Sequence, residues 1–356
     1  MGMTLSSRAV AAVALTAVAA GAQALAPLAG AAPAVRPPGV TIVQDAPGTA
    51  AQAAAVRYWT QARMAAALQA ADGQAAAQKP AAGSRARQLV RRPPSARREP
   101  SPTGNTAGRG LTWTHGGAVA AAAGKVFFTL GGQDYVCSGA LVGGKHPDVV
   151  LTAAHCVTNG TPPAGQGSSA RTGRAGAARW ATNWIFVPGF HDRRMPYGEY
   201  PARRFFAIPD WTGPKGGSEQ YDVAFVQVTT ATRYGAPGTA KPPPGLPVEF
   251  ARSQDKAPLR QTYVFGYPAE QPYSGLYLDY CAGPVAASGG SVRTPCAMTA
   301  GDSGGPWLAG FSPRPGSGEV AAVSTYKVSD DLRVLYGAVL GPQARALFNQ
   351  AVSPAH

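Results

Sequence analysis

From Gly124 onward the chain alternates short apolar runs with turns rich in glycine and proline. The runs Lys125–Leu130, Tyr135–Val142, Val149–Thr152, Trp184–Val187, Val223–Thr229, Gln261–Phe265, Val320–Thr325 and Leu335–Val339 have the length of strands and are too short for typical globular helices. Runs of that length and spacing predict an all-β unit, a barrel or sandwich of antiparallel strands. Gln343–Ala351 reads as a closing helix, and no internal repeat is evident. Ahead of this unit, Ala46–Ala77 is alanine-rich and places Val56, Trp59, Met64 and Leu68 near helical spacing, which predicts one amphipathic helix. Residues 79–109 are rich in Pro, Arg, Ser and Gly and read as a disordered linker. At the start, Arg8 precedes the uncharged run Ala9–Ala22, and Ala29-Gly30-Ala31 fits a small-x-small cleavage site, so residues 1–32 read as a signal peptide. The run is too short and too rich in alanine for a membrane span, and no other segment is a candidate. Without a twin arginine, general secretion is the simpler export route.

The 356 residues are enough for one large domain or two. The net charge of +14 is unevenly placed: residues 1–109 carry twelve basic against three acidic residues, and the rest twenty against fifteen. Most of the basic character therefore lies ahead of the β unit. The arginine run at 85–98 contains no aromatic residue, which argues against a nucleic-acid surface. Four cysteines, Cys137, Cys156, Cys281 and Cys296, allow three pairings. None is spaced Cys-x-x-Cys, as a zinc site would want, and export agrees with disulfides.

Three stretches carry chemistry: Leu151-Thr152-Ala153-Ala154-His155-Cys156, Tyr221-Asp222-Val223-Ala224-Phe225 and Gly301-Asp302-Ser303-Gly304-Gly305-Pro306. A serine hydroxyl is a poor nucleophile until a base removes its proton, and the base works best when a carboxylate fixes its tautomer. Candidates for the three roles stand here in the order His, Asp, Ser. The glycines permit a sharp turn, so that the N–H groups of Gly301 and Ser303 can address one oxyanion. Asp222 opens the apolar run Val223–Val228, where a buried carboxylate needs a partner, and His155 would supply it. Asp210, Asp255 and Asp279 lie in loop contexts and are weaker candidates. His115, His146 and His356 fall in turns or near flexible segments, and His191, beside Asp192 in the loop Gly189–Gly198, lacks strand support. The stretch around Ser303 also satisfies Gly-x-Ser-x-Gly, the nucleophile elbow of α/β-hydrolases. That fold needs its histidine after the serine, where only the terminal His356 stands, and Pro306-Trp307-Leu308 reads as strand where the elbow would feed a helix.

At these stretches the chain resembles the chymotrypsin-like (trypsin-fold) serine proteases. The resemblance extends over Gly124-Lys125-Val126-Phe127-Phe128, Cys137-Ser138-Gly139-Ala140, Phe265-Gly266-Tyr267-Pro268 and Cys296-Ala297-Met298-Thr299, roughly from Gly124 to Val352. More narrowly, it is to the secreted bacterial branch that includes glutamyl endopeptidases. It implies a double six-stranded antiparallel β-barrel with a C-terminal helix, the barrels at about 124–235 and 246–340, with Tyr234–Pro247 between them. It implies His155 as general base, Asp222 as its orienting carboxylate, Ser303 as nucleophile, and the N–H groups of Gly301 and Ser303 as oxyanion hole. It selects the disulfides Cys137–Cys156 and Cys281–Cys296 and calls for neither metal nor cofactor. Ala297, Met298, Ser324, Thr325 and Tyr326 are the expected substrate-binding positions. Trypsin's aspartate is replaced by Ala297, and Val323-Ser324-Thr325-Tyr326 lacks the histidine of glutamyl endopeptidases, so no side-chain preference follows. In trypsin-like zymogens the residue matching Asp302 pairs with a new N-terminal ammonium. Arg109-Gly110-Leu111 is a poor match to that activation sequence, and an internal partner for Asp302 is the alternative.

The expected organisation is a signal peptide at 1–32, a propeptide and basic linker at 33–110, and a protease domain at 111–356. Arg91, Arg92, Arg97, Arg98 and Arg109 offer processing points, with a cut expected inside 79–112 and a gain of activity when the helix departs. A permanent N-terminal extension is the other reading of that composition. The expected product is a monomeric, extracellular serine endopeptidase acting on proteins or peptides, with its own propeptide as partner and neither nucleic acid nor, after signal removal, membrane. A non-catalytic, protease-like binding protein is the reading from another class.

Overall fold

The strands read from Gly124 onward assemble into two antiparallel sheets. The computed structural model describes residues 42–45, 48–78, 108–144, 148–160, 180–211, 219–229, 241–254, 258–328 and 331–353. The signal-peptide reading at 1–32, the linker at 79–107 with Arg91, Arg92, Arg97 and Arg98, the part of Tyr234–Pro247 up to residue 240, and His146, Asp255 and His356 lie outside the described residues. In chain order the elements are β1 (Ile42–Asp45), α1 (Thr49–Tyr58), α2 (Gln61–Gln78), β2 (Leu111–Thr112), α3 (Gly117–Ala122), β3 (Ala123–Leu130), β4 (Gln133–Leu141), β5 (Val149–Thr152), β6 (Thr182–Pro188), β7 (Tyr200–Ala207) and β8 (Ala224–Val228). There follow β9 (Gln261–Gly266), β10 (Asp279–Pro284), β11 (Ala286–Ser288), β12 (Ser291–Pro295), β13 (Pro306–Ser312), β14 (Ser317–Tyr326), β15 (Val334–Val339) and α4 (Pro342–Ala351).

The first sheet runs β1-β7-β6-β3-β4-β5-β8, and a β7–β8 pairing closes six of its strands into a barrel. Strands β3 and β4 form a hairpin in register from Ala123↔Ala140 to Leu130↔Gln133. Its two-residue turn is Gly131-Gly132, both at positive φ, as a hairpin that follows the strand twist requires. Val126, Leu151, Phe186 and Phe225 have no solvent exposure. The second sheet runs β11-β12-β15-β14-β13-β9-β10-β2. It forms a half-barrel sheet beside the closed first barrel. The free edge of β10 is taken by β2, through Asp279↔Thr112 and Tyr280↔Leu111, and that of β12 by β11. The segment after residue 241 joins the sheets through the parallel bridges Val142↔Leu246 and Val248↔Val320. Helix α4 returns to the first barrel, where Gln227 Nε2 donates to the Ala351 carbonyl at 2.7 Å and Phe348 meets Phe225.

The single helix expected at 46–77 is two, α1 and α2, and the reason is Trp59. Its ring is buried to 3 % exposure. It meets Phe127 on β3 at 5.4 Å between ring centroids, and its indole N–H donates to the Asn183 carbonyl. The chain breaks helix where that side chain turns inward, and α2 restarts with Met64 N–H donating to Thr60. Tyr58 and Arg63 both reach Asp134. Met64, Ala67 and Leu68 are buried with Trp59, and α1 packs against β6 and β7 while α2 packs against β4. Strand β1, absent from the sequence reading, pairs antiparallel with β7 from Ile42↔Ala207 to Asp45↔Arg204.

Replacing Trp59 with alanine should weaken this docking by about 3 kcal/mol, the usual cost of emptying a buried indole site. Hydrogen–deuterium exchange checks it: uptake should rise across α1 and α2 while β3, β4 and β5 stay protected.

Candidate active site

Strands β5 and β8 pair, with Thr152 opposite Ala224, and so bring together the residues that leave their ends. Past β5 the chain makes one tight helical turn, Ala154–Cys156, carrying His155. The turn is fixed from two sides: the disulfide Cys137–Cys156 ties it to β4, and Trp184 Nε1 donates to the Cys156 carbonyl at 3.1 Å. Just before β8 lies Asp222, 2 % exposed. One carboxylate oxygen accepts the His155 backbone N–H at 2.9 Å, and the other meets His155 Nδ1 at 2.7 Å. A carboxylate only accepts, so the ring carries its proton on Nδ1 and leaves Nε2 as a base. Burial works against charging the ring, but the Asp222 charge and hydrogen bond outweigh it and hold the His155 pKa above the ordinary histidine value. The Trp211 ring stands 6.4 Å from the imidazole.

The serine turn lies against the same strand end. Gly304 has φ +81°, and a Cβ there would fall 2.2 Å from Thr152 Oγ1 and 2.4 Å from the Ser138 carbonyl, so only glycine fits. Ser138 N–H donates to the Ser303 carbonyl at 2.7 Å, and Cys156 Sγ is 3.8 Å from that oxygen. Within the turn, the N–H groups of Asp302, Gly304 and Gly305 donate to Thr299, Ser324 and Asp302 carbonyls. Among the described residues the N–H groups of Gly301 and Ser303 donate to nothing, and the Ser303 hydroxyl makes no bond to the His155 ring. Such catalytic bonds commonly close only when substrate binds.

Of the expected substrate-binding positions, Ala297 and Tyr326 are partly exposed. Met298 and Ser324 are wholly buried, the serine accepting Trp307 Nε1 at 3.0 Å. Thr325 donates to the Tyr336 carbonyl, and Tyr326 stacks on Tyr336. The disulfide Cys281–Cys296 braces the approach to this segment. Lys327, which the sequence reading passed over, donates to the Cys296 and Leu332 carbonyls, both at 2.5 Å, and bridges the two sides. Burial brings its ammonium down to about 8 against the pull of Asp302, Asp331 and Glu270.

Asp302 turns inward and is 1 % exposed, and neither carboxylate oxygen has a hydrogen-bond partner among the described residues. Burial pushes it up to about 7, opposed by Ser324 and by the ammonium groups of Lys327 and Lys125. Lys125, also passed over, had a visible signal as a lone charge inside an apolar run. Ser138 gave none. His191 stands apart from the triad candidates, against Tyr277, and His115 packs on Trp113. The donor atoms of Cys137, His155 and Cys156 lie within 4.8 Å of one another, but both sulfurs are spent in a disulfide and cannot ligate a metal.

Comparison with known proteins agrees with this geometry. The family described as trypsin-like peptidase domain matches residues 137–310. The chain is similar to the protease Anisep from Arthrobacter nicotinovorans, with 32 % identity, TM-score 0.53, and coverage of 66 % of this chain and 96 % of that one. It also shares its fold with the thermostable serine protease AL20 from an extremophilic microorganism, at 24 % identity and TM-score 0.52, covering 67 % of this chain and 100 % of that one. No curated protein matches the chain. With 32 % identity to a known protease over 96 % of that protein's length, the chain belongs to the chymotrypsin-like serine protease family and is a serine endopeptidase.

Proposed function

We propose that this serine endopeptidase is secreted and cleaves peptide bonds with His155, Asp222 and Ser303 as its triad. The observation that carries the reading is the doubly bonded Asp222–His155 pair beside a turn whose Gly301 and Ser303 N–H groups are uncommitted among the described residues. Ser303 Oγ attacks the scissile carbonyl carbon as His155 Nε2 takes its proton, and Asp222 stabilises the imidazolium that forms. The carbonyl oxygen gathers negative charge and is met by the two N–H groups. Collapse expels the amine, which leaves with the proton from His155, and water, activated by the same ring, releases the acyl group from Ser303. Each proton taken is returned, so the step closes on the residues named.

The N-terminal part is read as a signal peptide at 1–32 and a propeptide ending in a basic linker. Two features support a cut in the linker ahead of Gly108. Ala297 N–H donates to the Gly108 carbonyl and β2 completes the second sheet, so residues from Gly108 onward are built into the protease unit. Arg91, Arg92, Arg97 and Arg98 precede them in a stretch poor in core-forming residues.

Ser303→Ala should abolish peptide hydrolysis and labelling by a fluorophosphonate while leaving the thermal unfolding midpoint near that of the parent. Turnover at the parental rate would overturn the proposed triad.

Because His155 must be neutral to accept a proton, kcat/KM should rise with pH through a midpoint above the ordinary histidine value. Asp222→Asn should move that midpoint down, since the charge that raises it is gone, and lower kcat on the order of 10⁴-fold, as in the template triad. The linkage has the same sign: the pair stabilises the fold below the unfolded histidine pKa, and that contribution fades as pH rises through the folded value. Proton titration of the ring by NMR reads the shift directly.

N-terminal sequencing of the active secreted form should find a first residue within 79–108, the part of the expected 79–112 window that keeps Gly108 and β2. An active protein beginning near residue 33 would make the segment a permanent extension.

A further inference from the structure

Lys125 sits in the middle of β3 with no solvent exposure. An ammonium in such a place costs more than a methionine or leucine of similar volume would, unless its charge is used. Its Nζ donates to the Tyr267 carbonyl at 2.7 Å. The N–H of Tyr267 donates to Ser138 Oγ at 2.8 Å, and that hydroxyl donates to the Gly301 carbonyl at 2.8 Å. Lys125 and Ser138 are direct cross-strand partners on β3 and β4. Three hydrogen bonds thus lead without a break from a buried ammonium in the first barrel, through the end of β9, to the first residue of the serine turn.

Gly301 needs such a hold. It stands at φ +96°, and it has no side chain to limit rotation about its backbone. Among the described residues its carbonyl accepts from Ser138 alone. Fixing that carbonyl fixes the residue whose N–H is the proposed oxyanion donor. The next residue, Asp302, is buried, and the Ser324 hydroxyl, the Lys327 ammonium and, more weakly, the Lys125 ammonium act on it. Asp279 lies within reach of the same ammonium, which burial lowers to about 7. The Tyr267 carbonyl and N–H lie on either side of its Cα, so the ammonium acts mechanically: it fixes Tyr267, whose N–H in turn holds the hydroxyl that is bonded to Gly301.

We propose that Lys125 and Ser138 are positioning residues, a relay that locks the oxyanion turn from the opposite barrel. This rests on the reading of Ser303 as nucleophile and of Gly301 N–H as oxyanion donor. The relay touches no substrate. It acts on kcat by holding a donor in place, and has no part in ground-state binding.

The test is a double-mutant cycle on the full-length secreted protein, with Lys125→Met, Ser138→Ala and both together. Each variant is measured for kcat and KM on a peptide substrate, for the rate of fluorophosphonate labelling at Ser303, and for thermal unfolding. Each single change should lower kcat and the labelling rate by about 30-fold, less than the loss of an oxyanion donor itself, and leave KM within about threefold. The double variant should be no more than about twofold worse than the weaker single one, because both break the same chain. In Lys125→Ala, ethylammonium should restore part of the labelling rate and ethanol none, which separates charge from filled space. Parental kcat with a lowered unfolding midpoint, or losses that multiply in the double variant, would overturn the relay. If Lys125→Met does not fold, Ser138→Ala carries the test by the same split between kcat and KM. Failure of both to fold would assign the chain to stability and overturn the proposal too. Ser303→Ala separates this outcome from an error in the triad: a dead Ser303→Ala beside fully active Lys125→Met and Ser138→Ala removes the relay alone.

Discussion

The structure turns on one close backbone approach, where the serine turn lies against the hairpin of the first barrel. Ser138 makes it from every polar atom it has. Its N–H holds the Ser303 carbonyl, its hydroxyl stands between Tyr267 and Gly301, and its own carbonyl takes the Thr152 hydroxyl. Gly304 allows the approach, since any side chain there would meet Thr152 and the Ser138 carbonyl. Thr152 is the last residue of β5, three before His155. One packing constraint therefore sets the histidine turn and the serine turn relative to each other, although they come from different sheets. Asp222 follows from the same geometry, because β8 pairs with β5 along its length.

The polar groups buried around this contact are unusual in number for a protein with so few charges. Lys125, Asp302 and Asp279 are all nearly inaccessible; Lys125 donates to the Tyr267 carbonyl and Asp279 accepts from Thr112, each at 2.7 Å. Burial drives the ammonium pKa down and both carboxyl pKa values up, so holding each charge here is costly. A core designed for stability alone would replace them with apolar residues. Their placement at the barrel junction, behind the turn, ties the cost to the chemistry rather than to the fold.

The fold was legible where the pattern was simple. Strands buried on both faces, such as β3, β5 and β8, are apolar runs with single polar residues (Lys125, Thr129, Thr152, Gln227) and stand out in the sequence. β7 did not, because Arg203 and Arg204 interrupt its apolar residues, and β10 and β12 did not, because Asp279, Arg293 and proline at their ends read as loop. The helical segment was legible in type but not in number, since only the pocket formed by Phe127 and Asn183 explains why the chain breaks at Trp59. At the site, His155, Asp222 and Ser303 announce themselves by flanking residues. Ser138 and Lys327 do not, because their roles arise from neighbours more than a hundred residues away or from carbonyl groups that any sequence has.

The pairing of β1 with β7 has a consequence for the form that the proposed cut in the linker would leave. Strand β7 gives one edge to β8, and shares the other between β6, which covers Tyr200 and Pro201, and β1, which covers Arg204–Ala207. Removing β1 leaves four residues of open backbone on a barrel that otherwise closes on itself. Open edges invite other strands, and short length and charged side chains are the usual safeguards. Both are present: the gap is four residues long, and Arg203 and Arg204 stand at its mouth. The arginines that hid this strand from a reading of the pattern are thus the residues that would keep the bared edge from recruiting a second copy.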